Sequence, residues 1–156
     1  MMKLLRLLTL SACCWAVPAF AEELAVCGAS EGYAFYPKAG LAAQNEDAGK
    51  WVDDKISGGR LTLTRIGKDE YDLLFSDSTG RIVSAKQDGG VIVPAGGASD
   101  TVSLIVVYPG TGVVETYTFL RKADTGAEVI WTSNKGGGAL IMKVAAYRAD
   151  CSFFAK

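Results

Sequence analysis

From Gly59 to Cys151 the chain is cut by turn residues about every ten positions, and no stretch between the cuts carries the period of a helix. The intervening runs are apolar and β-branched: Arg60 to Ile66, Tyr71 to Ser76, Arg81 to Lys86, Val91 to Pro94, Thr101 to Tyr108, Val113 to Arg121, Glu128 to Thr132 and Leu140 to Cys151. Arg60 to Ile66 alternates polar and apolar residues in strict period two, the pattern of a half-buried strand. Short connections allow only antiparallel pairing, because a parallel crossover needs a dozen or more residues. The expected fold is therefore all-β: an antiparallel up-and-down meander of about eight strands. Such a meander must protect its edges, which favours a small barrel, with a two-sheet β-sandwich as the alternative. Leu24 to Tyr36 reads as an added edge strand, and Ala39 to Asp54 as a loop or short helix leading into the barrel.

The start of the chain reads differently. Lys3 and Arg6 precede the apolar run Leu7 to Val17, Pro18 ends it, and Ala19-Phe20-Ala21 supplies a small-x-small cleavage pattern. The run is too short to span a bilayer, which takes about 20 residues. Residues 1–21 are thus expected to be a signal peptide and 22–156 a single domain, periplasmic or secreted. Leu10-Ser11-Ala12-Cys13 also fits a bacterial lipobox, and the alternative is a lipoprotein anchored at Cys13. Cleavage after Ala21 removes Cys13 and Cys14, leaving Cys27 and Cys151 at opposite ends of the mature chain. In an oxidising compartment two such cysteines are most simply one disulfide. It would staple the first strand to the last, where a barrel closes.

Composition narrows the chemistry. The chain has no His, which removes Ser-His-Asp and Cys-His catalysis and most zinc sites. Its formal net charge is −1, becoming −3 once Lys3 and Arg6 leave, so no basic excess points to nucleic acid. Carboxylates are the remaining acids and bases. Asp53-Asp54, Asp69-Glu70 with Asp72, and Asp77 are candidates for a two-carboxylate hydrolase, although all lie at turn-like positions where Asp is ordinarily solvated. Asp69 to Asp72 also offers oxygen ligands for calcium, without an EF-hand pattern. No cofactor or metal is expected. The aromatics Trp51, Tyr117, Phe119 and Trp131 are the candidate ligand-binding residues. On one strand Val113, Glu115, Tyr117, Phe119 and Arg121 share a face, and Val114, Thr116, Thr118 and Leu120 share the other.

Some of these residues carry resemblances. Gly49-Lys50-Trp51 resembles the Gly-x-Trp signature near the first barrel strand of lipocalins, and Arg148 stands where the Arg packed over that Trp would be expected. Trp131 to Leu140, with Cys151, resembles the Trp-x-Lys-Gly-x-x-Ala region of the small periplasmic inhibitors of c-type lysozyme, which are disulfide-closed eight-stranded barrels. The whole chain resembles small uncharacterised exported proteins of Gram-negative bacteria, a resemblance that implies no activity. The expected function is a non-enzymatic binding protein for a small apolar ligand held in the barrel. The alternatives are an inhibitor of an envelope enzyme such as lysozyme and, more weakly, the hydrolase. The mature chain is expected to have no membrane span. Trp51 is expected to be buried at the barrel end against Arg148.

Overall fold

The computed structural model describes residues 21–76, 79–123 and 126–155. The expected signal sequence up to residue 20, with Cys13, and the candidate Asp77 lie outside the described residues. Among the described residues the chain is all-β and antiparallel, with eleven strands in one curled sheet. They are β1 (Glu22–Cys27), β2 (Ser30–Phe35), β3 (Trp51–Ile56), β4 (Arg60–Gly67), β5 (Glu70–Ser76), β6 (Ile82–Ser84), β7 (Val91–Gly96), β8 (Thr101–Tyr108), β9 (Val113–Lys122), β10 (Gly126–Lys135) and β11 (Lys143–Phe154). No helix among these residues is long and apolar enough to cross a membrane.

The topology differs from a plain meander. The order is β6-β5-β4-β1-β11-β10-β9-β8-β7, so two meanders, β4 to β6 and β7 to β11, are joined through β1. The sheet curls into a half-barrel in which β7 comes back towards β5. β1 is central, where an edge strand was expected. Leu24, Ala25, Val26 and Cys27 are all buried, as an unbroken apolar run with both faces covered should be.

β11 is long enough to serve two partners along one edge. Its first half pairs with β2, from Val144 opposite Phe35 to Arg148 opposite Glu31, and its second half pairs with β1. β3 then adds to the outer edge of β2. The expected loop or short helix before the barrel contains both a 3-10 turn at Gly40–Gln44 and the start of β3 at Trp51. Two acidic residues and a lysine hid this strand in the sequence. Charged residues suit an exposed edge, because they discourage pairing with other chains.

Cys27 and Cys151 are disulfide-bonded and stand opposite one another in the β1:β11 register. The bond therefore staples the middle of the sheet. It does not close the barrel seam, which lies between β5 and β7.

The inner face forms the core. Leu24, Leu63, Leu73, Leu104, Val106, Tyr117, Phe119 and Val129 are its largest fully buried side chains. β4 departs from its half-buried reading, since Thr62 and Thr64 are buried along with Leu61 and Leu63. The Thr64 hydroxyl donates to the carbonyl of Asp72, which satisfies it there.

Candidate functional site

Period two divides β9, β10 and β11 into an inner and an outer set, and the expected ligand-binding aromatics fall mainly in the inner one. Tyr117 is 1% exposed and Phe119 0%. A row of rings crosses the interior: Phe75 to Tyr117 at 6.2 Å between centroids, Tyr117 to Trp131 at 6.0 Å, and Trp131 to Tyr147 at 5.0 Å. Side chains with no accessible surface adjoin no space wide enough for even a water molecule, so this part of the interior is filled.

The row ends in polar anchors. The Tyr117 hydroxyl donates to Glu115 Oε2 at 2.6 Å, and Ser133 Oγ donates to Glu115 Oε1 at 2.9 Å. Burial, reinforced by the Glu115 charge, pushes Tyr117 well above the ordinary tyrosine range. At the other end Tyr147 donates to Asp54 Oδ2 at 2.6 Å, while Lys143 Nζ donates to Asp54 Oδ2 and to the Tyr147 oxygen, both at 2.7 Å. Partial burial disfavours the charge on Asp54, yet the hydrogen bonds from Lys143 and Tyr147 outweigh it and hold the carboxyl below its usual range. Burial also works against the Lys143 ammonium, but its bonds to Asp54 and Tyr147 prevail and raise it. Tyr147 is pushed up to about 12, by burial first and by Asp54 second. This triad locks β3 to β11 across β2, and Gly32 makes it possible. Gly32 sits between Tyr147 and Asp54 in register, and a Cβ there would lie 2.0 Å from the carbonyl oxygen of Ala146.

The outer set forms a groove of about 670 Å³ across β9, β10, β11, β2 and β3. Two rows of side chains floor it, each running perpendicular to the strands. Asp53, Tyr33, Ala146, Thr132 and Thr116 are successive register partners in one row; Lys55, Glu31, Arg148, Ile130 and Thr118 are partners in the next. The hydroxyls of Thr116 and Thr132 are 2.6 Å apart, and that of Thr118 is 3.1 Å from Ser103. Arg148 donates through Nε at 3.1 Å and Nη2 at 2.9 Å to Glu31 Oε1. A second pocket of about 300 Å³ shares Glu31, Lys55 and Arg148 and continues to Ser57 and Asp150. Both pockets open to solvent. Sequence reasoning placed Thr116 and Thr118 together on the face opposite Tyr117 and Phe119 but assigned that face no role. The same alternation in β2 and β11 is the signal that could have disclosed the groove.

Trp51 requires correction. It is 61% exposed and packs on Phe35 at 5.6 Å between ring centroids, while Arg148 is occupied by Glu31, four residues from Phe35 along β2. Trp51 opens edge strand β3, whose outer face has no neighbour to cover the indole. At this end of the sheet its register row continues through Phe35 to the exposed Val144, and the loops leading into β3 and β11 carry exposed Leu41, Leu140 and Ile141. Of the four expected ligand-binding aromatics, Trp131 alone lines the groove, from its inner side.

Among the described residues the candidate carboxylates have separate surroundings. Asp54 is held in the triad. Asp72 is buried and accepts hydrogen bonds from Leu73 N, Ser84 Oγ and Lys86 N, fixing the turn after β6. Both of its carboxylate oxygens, expected as candidate calcium ligands, are engaged by these donors. Among the described residues no three Cys, Asp or Glu side chains gather as a metal ion would need. Asp53 stands in the groove. No protein-family profile, curated protein or solved structure matches the chain.

Proposed function

We propose that this chain is a non-enzymatic binding protein, periplasmic or secreted, whose ligand site is the outer groove rather than the barrel interior. The observation that carries this reading is the pairing of a filled interior with an open, row-patterned face of ligand-sized volume. The disulfide supports an oxidising compartment. A packed core leaves no place for a small apolar guest, so the expected carrier function moves to the surface and its ligand becomes a polar one. The test is an amide chemical-shift titration with a collection of small polar and apolar fragments. Shifts gathered on Tyr33, Thr116, Thr132 and Ala146 are expected; shifts gathered on Tyr117, Phe119 and Val129 would return the site to the interior.

A second reading, contact with a partner protein such as an envelope enzyme, is favoured by the apolar end. Leu140, on the loop before β11, is 78% exposed, and Leu41 and Trp51 are exposed before and at the start of β3, whose first residue shares a register row with Val144 near the start of β11. Large apolar residues gathered in one exposed place mark interaction surfaces. Leu140→Asp together with Leu41→Asp should abolish inhibition of a lysozyme if this end acts so, and leave the groove titration unchanged.

A further inference from the structure

We propose that the groove takes a neutral oligosaccharide strand, an inference that rests on the groove being the ligand site. Its charged lining balances: Glu31 and Asp53 against Lys55 and Arg148. A balanced lining offers no net attraction to a phosphate backbone or an anionic lipid surface, which require unpaired cations. It does offer every kind of hydrogen bond a sugar hydroxyl makes. The carboxylates only accept, Lys55 and Arg148 only donate, and Thr116, Thr118 and Thr132 do both.

The apolar part of the lining has the complementary form. Tyr33 is 60% exposed on β2, one register step from Ala146 on β11, and Ile130 stands on β10 in the adjoining row. A flat exposed ring beside an alanine fits the C–H face of a pyranose ring, while the sugar's hydroxyls reach the threonines and charged groups of the two rows.

The shape selects a strand over a single sugar. Beyond the Lys55, Glu31 and Arg148 row the surface continues into the second pocket, where Ser57 and Asp150 add polar groups, so hydrogen-bonding partners extend past the groove itself. A peptide is disfavoured for a separate reason. The groove lies on a sheet face, where the N–H and C=O groups of β2, β11 and β10 are already paired, and an extended peptide binds by adding to a free edge.

The experiment titrates the full mature protein with chitotetraose, cellotetraose and maltotetraose, following amide shifts and binding heat. At least one tetramer is expected to bind in the groove, about tenfold or more tighter than its monosaccharide. Its affinity should change by less than about twofold between low and high salt, as for a neutral ligand. Tyr33→Ala should weaken binding about tenfold, and Thr132→Ala by a smaller factor, each with an otherwise unchanged amide spectrum that certifies the fold. If fragments shift the groove amides but no neutral tetramer does, or if tetragalacturonate or an extended peptide binds there in preference, the saccharide assignment is overturned while the groove stands. If no compound shifts the groove amides, both readings fall.

Discussion

Gly32 sets the local packing of β2 against β11, whereas Trp51, expected to be buried, contributes little to it. Gly32 is the one position in β2 where a Cβ would strike backbone, so Gly32→Ala should push β2 from β11 and break the Asp54, Lys143, Tyr147 triad. A loss of about 2 to 4 kcal/mol in urea unfolding is expected, as for overpacking against an unyielding wall. Trp51→Ala, by contrast, removes an exposed ring that touches Phe35 and should cost under about 1 kcal/mol. The triad also sets a pH dependence. Asp54 has a lowered folded-state pKa, so its contribution is complete above the unfolded carboxylate range near 3.8 and is lost as the pH falls through the folded value. Lys143 is raised, so its contribution holds below 10.5 and is lost in strong alkali. Asp54→Asn should therefore lower the neutral plateau of the stability curve, where the carboxylate contributes in full, and flatten its acid limb below about pH 4. An unchanged acid limb would place that dependence on another group. None of this was legible beforehand, because Asp54, Gly32 and Tyr147 are far apart in sequence and meet only through two strand registers.

At the scale of elements, what the sequence displays is the local alternation, and what it conceals is adjacency. Strands β4 to β9 fall close to their expected positions because each combines β-branched residues with turn residues at both ends. β10 and β11 run beyond their expected ends, since Ser133 and Asn134 read as turn residues although strand pairing with β9 and β11 continues through Lys135. β3 was missed for its charges, and β1 was put at an edge because no local pattern says that residues near the start will insert between β4 and β11. The outer groove was half legible: the face opposite the core was identified on β9, but its continuation across β11 and β2 depends on that insertion. The order of strands makes a kinetic expectation. Amides of β1 and β11, paired on both sides, should exchange with solvent only through near-global opening. Those along the free edge of β3 should exchange fast. Equal protection of β1 and β3 in a hydrogen-exchange experiment would contradict the central placement of β1.

For the whole molecule, the disulfide is the feature with the longest reach. It spans a sequence separation of 124 residues and ties β1 to β11, the strands through which the two meanders become one sheet. Without it, the unfolded chain gains the freedom of a very long open loop, which the chain-entropy treatment values at about 4 to 5 kcal/mol. That is a large share of the 5 to 15 kcal/mol by which a domain is typically stable. The two cysteines are also buried among core side chains, so two serines in their place would leave hydroxyls with few partners. Cys27→Ala with Cys151→Ala avoids that second effect and isolates the first. We expect the double variant to lose about 3 to 5 kcal/mol in urea unfolding, with its midpoint falling and its slope reporting a more expanded unfolded state. The loss should spread over both meanders, because each depends on β1 for its attachment to the other. If the double variant unfolds within about 1 kcal/mol of the oxidised protein, the junction is held by strand pairing and the core, and the disulfide adds only a covalent tether to a sheet that is already complete.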